Sequence, residues 1–396
     1  NSSPLYNDQA KLIIKTSKTK ESLIKVKSQY GVVLYTGFLI LLYASASNSS
    51  QSLVSQIFDT IGLQSLALIS LMLIFAFSAL SNIISPRYLT GRKYSLAFFV
   101  TGSGYLLFIL GGLLACYCES RPANGICTLW VQYVVNIVFS SYCGIMAAAF
   151  WICENTYIAK LATPSTRGLY IGTAWALIQS SQIVGNVFAI FLLGSYSHIA
   201  YYLFLSAITI FSAALMLTLP QPQPQPQKTM GLDNTEIEEE EDDPYKGFTW
   251  PQIMSSVFNK IKEKKVLPCV PLMYYSGIVL SVNYGYLFKI VGSTLGDIPK
   301  SSKDEKVAQV MLALGVAEFC SGMIIGRLAD NADKVKVAKL SLVFNYVSLG
   351  LALATLWTQS FLVAFFFGFA WGFSDCGNQS ANTILYSEHF NGSFEI

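Results

Sequence analysis

The chain has 396 residues, of which 53% are apolar and 12% charged, with a formal net charge of +3. A soluble protein of this length needs a larger charged surface, so the composition excludes an ordinary water-soluble globule and points to lipid as the solvent. The near balance of charge gives no reason to expect a nucleic-acid partner.

A helical span needs about 20 mainly apolar residues, because a helix rises about 1.5 Å per residue across a hydrocarbon core of about 30 Å. Ten stretches qualify: 30–47, 61–85, 94–116, 129–152, 168–194, 199–219, 267–291, 307–327, 336–357 and 360–386. Lipid offers the backbone no hydrogen-bond partners, and the runs are continuous rather than alternating. Helices are therefore expected, and a membrane barrel is not. The expected fold is an all-α polytopic membrane protein with six spans, a long loop and four further spans.

The N-terminal arm, residues 1–29, is basic and leads into a six-helix half over 30–219. A linker follows at 220–266. It carries the extended run QPQPQPQK, then an acidic block of Glu236, Glu238 to Glu241, Asp242 and Asp243. Trp250, Ile253, Met254, Val257, Phe258 and Ile261 then recur at helical spacing before Lys260, Lys262, Lys264 and Lys265. This amphipathic helix either lies flat on the membrane surface or braces the bundle. The second transmembrane half occupies 267–396.

All but Arg121, Lys289, Lys300, Lys303 and Lys306 of the 26 Lys and Arg residues fall on the face that holds the N-terminus. Basic residues favour the cytoplasmic side, so the N-terminus is expected there. The arm suits a protein of the plasma membrane or an endomembrane, and it also fits a loose mitochondrial signal. On the outer face, Asn48-Ser49-Ser50 is a glycosylation sequon. Cys116, Cys118 and Cys127 gather near one outer loop, either as a disulfide of one of the first two with Cys127 or as free thiols. There is no CxxC pair, and His198 and His389 are far apart, so no metal site is expected. No Walker loop, nucleophile triad or haem signature occurs, so neither an enzyme nor a cofactor is expected.

Two acids stand inside spans, where a charge is costly and usually functional or paired. Glu318 is surrounded by Gly315, Ala317, Ser321 and Gly322; Asp375 has Asn378, Gln379 and Asn382 within two turns. They are candidates for a proton, cation or solute site, or for a polar clasp between spans eight and ten. Gln179, Gln182 and Asn186 make a polar stripe on span five, lining a cavity or bonding between helices. Glu154, with Asn155, Lys160 and Arg167 nearby, forms a helix-end charge network or a gate.

Gly91-Arg92-Lys93 and Gly326-Arg327-Leu328-Ala329-Asp330 occupy equivalent loops if the second half repeats the first. The latter resembles the G-x-L-A-D loop motif of major facilitator transporters, whose charges hold the two halves together on the cytoplasmic side. RGLYIGTAWALIQSSQIVGN (167–186), AFWICENTYI (149–158), LPCVPLMYYSGI (267–278), GVAEFCSG around Glu318 and WGFSDCGNQ around Asp375 resemble the uncoordinated-ninety-three-like branch of that superfamily. The resemblance implies twelve spans, two more than are visible here. Either two lie beyond Ile396 or the chain lacks them. It also implies two kinds of activity: alternating-access transport of an unidentified small solute, or an accessory role beside a channel, receptor or larger membrane complex.

Overall fold

A computed structural model describes residues 4–89, 92–121, 125–163, 166–222, 249–264, 266–267, 270–296 and 300–389. The polyproline-like run and the acidic block lie outside them, as does Gly91. Among the described residues there are helices and no strands. They run α1 (Pro4–Thr60), α2 (Gln64–Leu89), α3 (Tyr94–Ser120), α4 (Leu129–Leu161), α5 (Arg167–Ser195) and α6 (His198–Met216). After the linker come α7 (Trp250–Ile261), α8 (Val270–Gly285), α9 (Leu287–Ser293), α10 (Lys300–Asn331), α11 (Lys334–Thr358) and α12 (Phe361–His389).

Among the described residues, eight helices are long and apolar enough to cross a membrane: α1 to α6, α10 and α11. The tenth expected span is α12, whose 29 residues are sufficient in length. Asp375, Asn378, Gln379 and Asn382 dilute its apolar character. The expected seventh span is corrected to two pieces, α8 and α9, parted at Tyr286. Gly285 weakens the helix there. The ladder resumes at once, with Tyr286 N–H donating to Val282 and Ile290 N–H to Tyr286, each at 3.0 Å.

The exterior is apolar in a way water would not tolerate. Leu68, Met72, Ile190, Phe191, Ile210, Phe211, Tyr346, Leu353 and Trp357 are all more than half exposed. The interior, conversely, is rich in small polar groups. From Ser45 to Ser52 on α1, seven of eight residues are Ser, Asn or Gln, and all are buried. That run extends the first span past residue 47, to Ser55. A hydropathy reading stops at such residues. The helix continues because neighbouring helices satisfy them. Asn48 Nδ2 donates to Ser181 Oγ on α5 at 3.0 Å, and Ser49 Oγ meets Tyr201 of α6 at 2.8 Å. The sequon reading of Asn48 is therefore corrected: its amide is buried and bonded between helices, where no glycan can attach.

Cys118 is bonded to Cys127, and Cys116 is a buried thiol. Residues two apart on a helix point about 200° from each other, so only one of Cys116 and Cys118 can face the loop. The bond ties the end of α3 to the start of α4. On α7, the apolar side chains of Met254, Phe258 and Ile261 are exposed.

Two apolar clusters fill the interior. The larger joins α1 to α6 and takes in Ile325, Ala329, Val337, Ala381 and Ile384 from α10, α11 and α12. The smaller, around Val310, Leu314, Phe367 and Trp371, belongs to α8 through α12.

Candidate functional site

The two groups of helices meet along α5 and α10, which run antiparallel. Gly168 lies beside Gly326, Gly172 beside Gly322 and Gly326, Ala176 beside Gly322, and Ile183 beside Gly315. About 15 residues of α5 take part, roughly 22 Å of helix. The contact is backbone against backbone: a Cβ added to Gly172 would stand 2.6 Å from the Gly322 carbonyl oxygen and 2.6 Å from Gly326 Cα. Small residues four apart permit this closeness, as in other membrane helix pairs.

One end of this seam is closed by a charge. Asp330, in the last turn of α10, accepts the Gly168 N–H on Oδ1 at 2.8 Å and the Leu169 N–H on Oδ2 at 2.7 Å. These amides belong to the first turn of α5, where N–H groups have no partner within the helix. The residue before the helix, Thr166, does not cap it; its hydroxyl accepts the Thr163 N–H instead. The cap of α5 is thus supplied from 162 residues away, and a carboxylate there also complements the helix dipole. Asp330→Ala is expected to lower stability by about 2 kcal/mol, since it removes a charged cap and leaves two amides bare. Asp330→Asn should cost less, because its side-chain oxygen still accepts. Thermal unfolding of the purified variants in detergent checks the order.

Gly315, Glu318, Gly322 and Gly326 recur at spacings of three, four and four, which puts Glu318 on the α10 stripe that faces α5. Glu318 is fully buried, and neither carboxylate oxygen has a hydrogen-bond partner among the described residues. Asp375, on α12, is also buried and lies within electrostatic reach of Glu318. Tyr275 of α8 is within reach of Asp375 in turn. Asn382 Nδ2 donates to Ser276 Oγ at 3.1 Å, tying α12 to α8 beside this cluster. Asn378 is buried, and its amide nitrogen has no partner among the described residues. Gln379 is half-buried. The acids are therefore brought together at the junction of α5, α10 and α12.

The polar stripe of α5 is divided. Gln182 is buried against Gly315 of α10, and Asn186 Nδ2 turns back to the Gln182 carbonyl at 2.8 Å. Gln179 is half-buried on the same side of α5. Glu154 is buried in α4, and its Oε2 has no hydrogen-bond partner among the described residues. Lys160 Nζ stands 5.4 Å over the Tyr94 ring, Arg167 is half-buried at the start of α5, and Arg327 is exposed. Sequence reasoning missed the parallel stack of Trp151 on Trp175, 6.1 Å between rings, which joins α4 to α5. Two tryptophans 24 apart give no signal until the helices are placed.

Comparison with known proteins gives a consistent result. Residues 34–394 match the sequence profile of the Major Facilitator Superfamily. The chain is similar to the UNC93-like protein MFSD11 of Xenopus tropicalis, 24% identical over 159 residues, which is 40% of this chain and 32% of that protein. The match thus spans about a third of the curated relative. In three dimensions the chain is similar to a bacterial homologue of the iron transporter ferroportin in an outward-facing state. The TM-score is 0.58 at 14% identity, covering 90% of this chain and 84% of that one. It is also similar to the transporter FucP in the outward conformation, with a TM-score of 0.56 at 14% identity, covering 93% and 91%.

Proposed function

This chain belongs to the major facilitator superfamily, and from that membership we propose that it is a secondary transporter of a small solute working by alternating access. The observation that carries the reading is Glu318, buried with both carboxylate oxygens unpartnered among the described residues, beside Asp375 at the place where α5 meets α10 and α12. An ionised carboxylate without a partner is too costly to bury, so this arrangement needs a proton or a cation on the pair. Loading and unloading that charge would bias which face is open. Asn378, Gln379, Gln179, Gln182 and Asn186 are the neighbouring polar groups available to a solute.

In this reading the N-terminus is cytoplasmic, because Arg87, Arg92 and Lys93 share a face with Arg327, Lys334, Lys336 and Lys339. The Asp330 cap then closes the cytoplasmic end, as expected of a state open to the outside, and residues 30–219 and 267–396 are the two moving halves. Glu154, Arg167 and Arg327 flank the same end as gate residues.

The test uses proteoliposomes loaded with a pH-sensitive dye and challenged with monosaccharides, amino acids and small organic amines. At least one class should move the dye signal in the wild type and none in Glu318→Gln or Asp375→Asn. Unchanged coupled flux in both variants would remove the acids from the mechanism. A wild type that moves nothing and purifies with a membrane partner would instead assign the accessory role.

A further inference from the structure

A groove of about 380 Å³ runs along the outside of the first helical group, between α3 and α6. Its walls are Leu110, Leu113, Leu114 and Tyr117 from α3 and Ile199 and Leu203 from α6. Beside it the two helices are tightly packed: a Cβ added to Gly112 of α3 would run into the ring of the fully buried Tyr202 of α6.

The open end of the groove is polar and charged. Arg121 Nη1 donates to Tyr117 Oη at 3.2 Å, and the guanidinium carbon stands 5.2 Å from the Tyr117 ring centroid. The cation is thereby held over a wall of the groove. Across it, Glu119 on α3 meets His198 on α6 at 3.9 Å. The start of α6, capped by Ser197 accepting from the Ala200 N–H, adds the positive end of a 19-residue helix. The level in the membrane is set independently. Trp130 and Tyr196, 68% and 64% exposed, sit on the neighbouring helix ends, and such side chains mark the headgroup boundary. From Tyr117 to Leu110 the groove descends about 10 Å into hydrocarbon. The Cys118–Cys127 bond fixes the base of the loop that carries Arg121.

We infer that this groove is a binding site for a phospholipid of that leaflet, with an acyl chain along Leu110 to Leu203 and the phosphate on Arg121. Guanidinium groups pair with phosphate through two parallel hydrogen bonds. The Glu119 carboxylate at the rim suits a zwitterionic headgroup better than an anionic one. The site is remote from the α5–α10 seam and independent of any transported solute.

The test is thermal unfolding of the full chain in detergent with added phosphatidylethanolamine or with a diacylglycerol of the same chains. Native mass spectrometry counts the retained lipid. Phosphatidylethanolamine should raise the wild-type midpoint by about 3 °C, and diacylglycerol should give less than half of that. Leu203→Trp fills the groove from an exposed position, 53% exposed, and should leave the lipid-free midpoint unchanged. Both it and Arg121→Ala should lose most of the shift and the retained lipid. Equal shifts with the two lipids, or an undiminished phosphatidylethanolamine shift in Arg121→Ala, would overturn the assignment.

Discussion

Gly172→Leu is expected to destabilise the protein by about 3 kcal/mol and to prevent the α5–α10 seam from closing. The reason is the nature of what the new side chain meets. Its Cβ would face the Gly322 carbonyl and Gly326 Cα, each at 2.6 Å, and these are backbone atoms with no rotamer to yield. The helices must separate, which pulls the Gly168 and Leu169 amides away from Asp330. Gly350 of α11 is the control, since a Cβ there meets nothing within 4 Å. Gly350→Leu should be neutral or stabilise by about 0.5 kcal/mol, because a helical glycine is replaced without a clash. Thermal unfolding in detergent compares the two, and equal midpoints would refute the seam as a close backbone contact.

Glu318→Met should do the opposite, raising stability by about 1–3 kcal/mol while abolishing coupled transport. A buried polar group with no hydrogen-bond partner carries its desolvation cost unrelieved, and an apolar side chain of similar length removes that cost. Structural clasps behave otherwise: breaking one destabilises. The sign of the change therefore separates the two readings of Glu318, and a midpoint that falls by a similar amount would establish the clasp.

Much of the fold was legible because lipid makes the code simple. Nine of the ten expected spans are single helices, since a run of about 20 apolar residues has no other way to satisfy its backbone. The exception is the seventh, over 267–291, which breaks at Tyr286, where one glycine decides and hydropathy is silent. The first span was cut short at residue 47 because burial inside the bundle, rather than apolarity, keeps Ser45 to Ser52 helical. Glu318 and Asp375 were legible as isolated charges in apolar runs. That they share one junction depends on how α10 meets α12, which no local pattern encodes. Asp330 stood out within its loop motif, yet its partners are backbone amides, which carry no sequence signature. The choice between Cys116 and Cys118 turned on helix phase, a fact about where α3 ends.

In the proposed mechanism the two groups of helices alternate about the α5–α10 seam under control of the charge on Glu318. Spin labels at Tyr88 of α2 and Asn331 of α10, both exposed near the Asp330 end, report its opening as a distance. In acidic and alkaline buffer the wild type should show two distance populations whose ratio changes with pH. Glu318→Gln should show a ratio that stays fixed. A single distance, unmoved by pH in the wild type, would rule out alternation driven by Glu318.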